Sequence, residues 1–336
     1  MNIKRICFHA RSYDDKVFEL FDYYSNDVKI FRELGYDVVF SYNSKTIPGD
    51  CDLYFIWWWS SGIIPLLKAN YLKKKIITIG NIHYSDPSPQ GYFQRPFYIR
   101  AFIRYCLRNS DFQIATAKIE LEGIKKLNAK NPVLIYHAID TEKYIYNDIN
   151  NREKVILTLT QLTKENIKRK KVHEIIDAFG IVTKELPDYK LCIAGRKEDD
   201  GYPELAEHSE KLGLSDKIIF AGRVSEEEKV NLYRTCSVYV QPTSFEGFGM
   251  AIAENMACGT PVVTSPNGAV PEVVGDYAVY AEPDSPDDIA KGILKILKDP
   301  GLQQHLNSGG YERIKKNFSY SSRKDKISEL LKIIND

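Results

Sequence analysis

The chain is 336 residues long, 43% hydrophobic and 27% charged, with a net charge of +1. Such a length is more than one hydrophobic core usually serves and suits two α/β domains, while the composition excludes a disordered or collagenous chain. The near-neutral balance, +4 over residues 1–150 and −3 over the rest, excludes the overall basic footprint of a nucleic-acid binder.

Short β-branched or aromatic runs alternate with longer helix-period segments, the signature of successive βα units and a parallel sheet. In chain order, strands are predicted near 3–9, 37–42, 52–58, 75–80, 111–116 and 132–136, with Gly35 ending the first helix. The polar stretch Asp140–Glu153 reads as a linker. Strands resume near 154–160, 189–195, 217–221, 237–241, 261–264 and 278–280, between helices near 171–186, 203–213, 225–235, 247–258 and 285–299. The last three dozen residues read as helices only. The reading is two doubly wound domains, 1–145 and 146–318, and a helix over 319–336 that packs back toward the first. Open parallel sheets bind ligands at the carboxyl ends of their strands, so two of them are expected to face one crevice.

Cys7, Cys51, Cys106, Cys192, Cys236 and Cys258 lie far apart without zinc or redox spacing, which fits a reducing cytosol. The N-terminus enters an apolar strand pattern at once, Ile3 to Phe8, without the longer apolar stretch of a signal peptide. The richest apolar run, Leu53 to Leu67, is broken by Ser60, Ser61, Gly62 and Pro65 and falls short of the roughly 20 residues of a membrane span.

The segment 237–260 reads as a strand, a Pro/Ser/Gly turn and a helix. Gly247 and Gly249 let backbone approach a ligand closely, and amides at a helix N-terminus favour an anion. Glu246 and Glu254 are eight residues apart, about 12 Å along a helix and nearly on one face. That spacing suits a nucleoside diphosphate sugar, with Glu246 on the hexose, Glu254 on the ribose and the phosphates between. Two solvated glutamates are the bland alternative, disfavoured by the apolar neighbours. A dinucleotide fingerprint fails at its third glycine, where Ile252 stands.

Phe245-Glu-Gly-Phe-Gly-Met250, Glu254-Asn-Met-Ala-Cys-Gly-Thr-Pro-Val-Val263, Gly268-Ala-Val-Pro-Glu-Val-Val-Gly275 and Ala221-Gly-Arg-Val-Ser-Glu-Glu-Glu228 resemble the retaining GT-B glycosyltransferases of the family 4-like type (glycosyl transferases group 1). So do Ile135 to Tyr144 and Phe318-Ser-Tyr320, and the similarity covers roughly the second 60% of the chain. The resemblance implies an α/β fold of GT-B architecture, two Rossmann-like domains, the second binding the nucleotide sugar and the first serving the acceptor. It implies that Glu246 contacts the transferred sugar, Glu254 the ribose, and the amides of Phe248, Gly249 and Met250 the sugar or phosphates. Arg169 and Lys170, aligned on the helix carrying Ala178-Phe179, fall where the family's diphosphate-neutralising pair belongs, although Thr160-Gln161-Leu162 replaces the usual Gly-Arg-Leu. Gly195 and Arg196 follow a strand where such proteins approach the nucleotide, and Arg223 lies near the base.

In the first half, His83 in Asn81-Ile-His-Tyr-Ser-Asp-Pro87 resembles the family's histidine that touches the donor sugar. The Gly-rich turn expected after the first strand is replaced by His9-Ala-Arg-Ser-Tyr13, so His9 and Arg11 are the acceptor-side candidates. Asp50-Cys-Asp52 precedes a strand and reads as a loop, the acidic run Glu198-Asp199-Asp200 reads as a solvated loop, and no metal or other cofactor is required. Arg95, Arg100, Arg104 and Arg108 share a helical face with interleaved aromatics, open to anionic lipid headgroups or to water. Trp57-Trp58-Trp59 reads as core, with stacking on acceptor as the alternative.

The resulting expectation is a cytoplasmic retaining hexosyltransferase, with peripheral contact at the inner membrane face through the first domain. Its donor is a UDP- or GDP-sugar and its acceptor a glycan or lipid-linked hydroxyl in bacterial surface polysaccharide synthesis, with no nucleic-acid partner. The rivals are a non-catalytic sugar-nucleotide-binding protein of the same fold and a sugar-nucleotide epimerase; an NAD enzyme lacks its glycine fingerprint.

Overall fold

The computed structural model describes residues 3–335, which divide into two compact units: residues up to Ala138 together with Tyr320 onward, and Ile139–Ser319. In the first unit β1 (Arg5–His9), β2 (Asp37–Ser41), β3 (Leu53–Trp57), β4 (Lys75–Ile79), β5 (Phe112–Ala115) and β6 (Pro132–Leu134) form a parallel sheet in the order β2-β1-β3-β4-β5-β6. In the second, β7 (Glu153–Leu159), β8 (Lys190–Ala194), β9 (Ile218–Gly222), β10 (Cys236–Gln241), β11 (Val262–Thr264) and β12 (Val279–Tyr280) are ordered β12-β11-β10-β7-β8-β9. Both orders reverse beside the first strand of the unit, which opens a crevice at the strand carboxyl ends.

The central strands are apolar at nearly every position because helices cover both faces of a parallel sheet. Every residue of β3 is buried, and its alternation divides two cores. Phe55 and Trp57 join Ile6, Phe8 and Phe31 on one face, whereas Tyr54 and Ile56 join Cys7, Leu66 and Ile103 on the other. In the second unit Ile156, Ile193, Val238 and Val240 pack beneath the helices Val172–Glu185 and Pro286–Lys298.

Two features of the chain order have local causes. The stretch Asp140–Glu153, read above as a linker, is instead built into the second unit. Tyr144 is buried, Asn147 donates to the carbonyls of Cys258 (3.1 Å) and Arg234 (2.7 Å), and Asn307 donates to the carbonyl of Asn147 (2.9 Å). Asn147 serves as a backbone partner, a use that composition does not distinguish from solvation.

The helix Tyr320–Asn335 packs Ile327, Leu330, Leu331 and Ile334 into the first unit's core. Its Arg323 makes a fully buried bidentate pair with Asp27, Nε–Oδ1 2.6 Å and Nη2–Oδ2 2.9 Å, and donates to the carbonyls of Ile135 and Tyr136. Among the described residues no helix is long and apolar enough to cross a membrane.

Removing one member of that pair strands a buried charge. Arg323→Met is expected to cost about 3–5 kcal/mol in urea unfolding, while Asp27→Leu/Arg323→Met loses clearly less than the sum of its single variants.

Candidate active site

The segment after β10 is clamped on two sides. Ser265 and Asn267 donate to the Thr243 carbonyl, the latter at 3.0 Å, and the amide of Ala269 donates to the carbonyl of Glu246 at 2.8 Å. Gly268, at φ +65°, lies so close that a Cβ there would sit 2.2 Å from the Glu246 carbonyl oxygen. Opposite, the Arg169 carbonyl accepts the amide of Ser244 at 2.8 Å. Gly249 then takes φ +91°, which L side chains avoid, and starts the helix Met250–Ala257 without a side-chain cap. The first-turn amides of that helix have no carbonyl partner within it.

Charge is concentrated beside this clamp. Arg169 places Nη1 2.7 Å from Glu246 Oε1 and 3.1 Å from the Phe245 carbonyl, and Nη2 3.1 Å from Asn166 Oδ1. Gln241, the last residue of β10, donates to the same Glu246 oxygen at 3.0 Å. Its own oxygen accepts Lys170 Nζ at 3.2 Å and the Tyr239 hydroxyl at 2.7 Å. Burial pulls the Lys170 ammonium below its usual range, against the pull of Glu246 and, more weakly, Glu254. Burial raises the Tyr239 phenol well above its ordinary value, and both carboxylates add to that shift. Glu246 and Glu254 thus act on one group of side chains.

Glu254 is buried on its helix, with Lys229 Nζ 3.9 Å away and its charge raising the buried phenol of Tyr233 after desolvation. Lys171, between the helices Lys164–Arg169 and Val172–Glu185, takes φ +57°, a strained choice for a side-chain-bearing residue.

The other residues singled out in the second unit are placed variously. Gly247 and Phe248 are buried, and the Phe248 ring meets Phe318 edge-on at 5.6 Å. Met250 is half-buried. Gly195 is required by packing, since a Cβ there would lie 2.2 Å from the Thr160 carbonyl oxygen. Arg196 is half-exposed, 3.5 Å from Asp199, and Arg223 is exposed after β9. The acidic run expected to be solvated is partly structural: Asp199 accepts the Leu162 amide at 2.8 Å and Asp200 that of Lys164 at 3.0 Å, fixing the loop ahead of Arg169.

In the first unit, His83 follows β4 at φ +52°. Its Nδ1 lies 3.0 Å from Glu120 Oε1, and the buried Glu120 carboxylate also accepts the amides of Ile82 (2.7 Å) and His83 (3.1 Å). A cavity of about 510 Å³ is lined here by Arg11, Trp58, Asn81, His83 and Arg95 among others. His9 does not line it. Its ring is buried against Ser41 Oγ at 2.8 Å, and burial lowers its pKa to about 4, so it is an interior neutral residue and not an open acceptor-side group. Of the arginine series, Arg100, Arg104 and Arg108 lie on the helix Phe97–Asn109, but Arg95 precedes it and turns to the Gln90 carbonyl, into the cavity wall. Trp57 and Trp59 are buried and Trp58 is half-buried.

Glu120 and Gln241 were not anticipated. Gln241 carried a usable signal, since it ends a strand at the sheet's carboxyl edge. Glu120 carried none, because a glutamate in a first helical turn ordinarily faces solvent.

The two parallel six-stranded units have the GT-B fold. The Anabaena protein Alr3699/HepE, solved in complex with UDP and glucose, superposes with a TM-score of 0.79 at 17% identity over 98% of this chain and 99% of that one. The profile described as glycosyl transferases group 1 matches residues 140–313, and the chain belongs to that family. Mannosylfructose-phosphate synthase of Agrobacterium fabrum is 26% identical over 70% of the chain, and O-antigen chain mannosyltransferase B of Escherichia coli is 33% identical over 46% of it. The matched stretches span 56% and 40% of those two relatives.

Because Glu120 fixes the His83 ring and its backbone through one carboxylate, Glu120→Gln is expected to lower stability in urea unfolding by about 1–3 kcal/mol, the worth of a charge-assisted hydrogen bond at a buried group. Nucleotide affinity should stay unchanged. An unaltered unfolding midpoint would remove that holding role from Glu120.

Proposed function

We propose that this chain transfers a hexose from a UDP- or GDP-sugar to a hydroxyl of a glycan or lipid-linked acceptor, with retention of anomeric configuration. The observation that carries the reading is the Lys170–Gln241–Glu246–Arg169 network beside the start of the helix Met250–Ala257. Two cations and a helix N-terminus suit a diphosphate, and the adjoining carboxylate suits sugar hydroxyls. Membership of the glycosyl transferases group 1 supports it, as do the relatives' names and the UDP and glucose bound by the Anabaena protein. Surface polysaccharide synthesis is the setting those names favour.

The reaction is a front-face displacement. The bond from the anomeric carbon to the diphosphate oxygen breaks, the acceptor oxygen bonds to that carbon on the same face, and the acceptor proton passes to the departing phosphate. Lys170 and Arg169 stabilise the charge growing on the diphosphate, where a fixed, half-buried cation is most effective. Glu246 orients the sugar and Glu254 the ribose. The cation pair takes the place of a divalent metal in this scheme.

The same reading sets the helix Phe97–Asn109 against an anionic lipid surface. It carries no acidic residue, three arginines, and exposed Phe97, Tyr98, Phe102 and Tyr105.

Glu246→Gln is expected to cut turnover on the order of 10²-fold with nucleotide affinity retained, and NMR of the product should show the donor's anomeric configuration. Wild-type turnover in that variant, or an inverted product, contradicts the reading. In flotation with phosphatidylglycerol vesicles, Arg100→Gln/Arg104→Gln/Arg108→Gln should weaken binding by roughly two orders of magnitude. Equal binding to phosphatidylcholine vesicles would remove the membrane role.

A further inference from the structure

The cavity of the first unit has an unbalanced polarity. Its lining holds two guanidinium groups, Arg11 and Arg95, and no carboxylate. The carboxylates that act on Arg95, Glu120 and Asp86, are already committed elsewhere. Glu120 accepts the amides of Ile82 and His83 and faces the His83 ring, and Asp86 accepts the amide and hydroxyl of Ser88, both at 2.8 Å. Asn81 spends its side-chain oxygen on the Thr116 hydroxyl at 2.6 Å, which leaves its amide hydrogens as donors. The wall therefore offers hydrogen-bond donors and positive charge and has no carboxylate of its own.

Arg95 is half-buried and makes no ion pair among the described residues. Its Nε and Nη2 both donate to the Gln90 carbonyl, at 3.1 and 2.9 Å, so the guanidinium plane is fixed by a neutral group. Glu120 and Asp86 act on Arg95 through space without an ion pair, so the cavity side of this partly desolvated cation is open to an anion. Arg11 also has no acidic partner among the described residues, and its loop is set by amides of Ala10 and Ser12 donating to the carbonyls of Ser41 (3.1 Å) and Tyr42 (2.9 Å). Trp58 supplies a flat side. Its backbone takes φ +71°, its amide donates to the Ile79 carbonyl at 2.8 Å, and its indole N–H donates to the Tyr24 hydroxyl.

We infer that this cavity selects an acceptor carrying an anionic group, phosphate or carboxylate, which Arg11 and Arg95 bind while Trp58 flanks the adjoining ring. The inference rests on the transferase reading for the word acceptor, but the anion preference is a property of the first unit alone.

The test measures binding of glucose 6-phosphate, glucuronate and neutral glucose to the full chain by isothermal titration, with UDP and GDP thermal shifts recorded in parallel. Glucose 6-phosphate or glucuronate should bind at least about tenfold more tightly than glucose, and whichever of the two binds identifies phosphate or carboxylate as the group. Arg95→Gln and Arg11→Gln should each remove on the order of tenfold of that preference, with Arg95→Lys losing less, and none should alter the nucleotide shift. Equal affinity for charged and neutral sugars, failure of all three to bind at millimolar concentration, or full anion affinity in Arg95→Gln/Arg11→Gln overturns the inference. Absence of a nucleotide shift with the anion preference intact would instead sink the transferase reading and leave this one standing.

Discussion

The ion pair between Arg169 and Glu246 is the constraint around which the second unit's site is arranged. At 21% and 14% side-chain exposure neither group keeps full hydration, so each needs the other and the polar atoms around it. Those atoms come from Asn166, Gln241 and the Phe245 carbonyl, and Gln241 passes the contact on to Lys170. The backbone of Glu246 cannot yield, because Gly268 lies against it and Ala269 holds its carbonyl. A ligand entering here meets charges whose reorganisation has been completed in folding, which is the condition under which electrostatic stabilisation is strongest.

The charges of the two units are arranged differently. In the second unit cations and carboxylates are interleaved, suiting a ligand with both phosphates and hydroxyls. In the first unit's cavity the acids are withdrawn into backbone contacts and the arginines are left facing the void. Strain accompanies both places: His83, Trp58 and Lys171 are side-chain-bearing residues at positive φ, held there by surrounding bonds and packing.

Much of this was legible in the residues. Both parallel sheets followed from apolar runs such as Leu53–Trp57, because two-sided burial leaves little alternation to misread. The Glu246–Glu254 segment and the juxtaposed basic residues were marked by spacing and by family likeness, and the structure brings Arg169 and Lys170 beside Glu246 despite the altered Thr160-Gln161-Leu162. What was not legible depends on tertiary placement. His9 looked available at a strand end, yet Ser41 of the neighbouring strand encloses it. Asp199 looked solvated but caps the loop at Leu162, and Glu120, on which the sequence carried no signal, is buried against His83. Short polar side chains that bond to distant backbone leave no periodic trace in sequence.

The most direct measurement is a crystal structure with a hydrolysis-resistant nucleoside diphosphate sugar. The account predicts phosphate oxygens within about 3 Å of Lys170 Nζ and an Arg169 nitrogen, with a Glu246 oxygen transferred from its protein partners to a sugar hydroxyl. A diphosphate bound away from residues 169–170, with the Arg169–Glu246–Gln241 contacts unchanged, would contradict it.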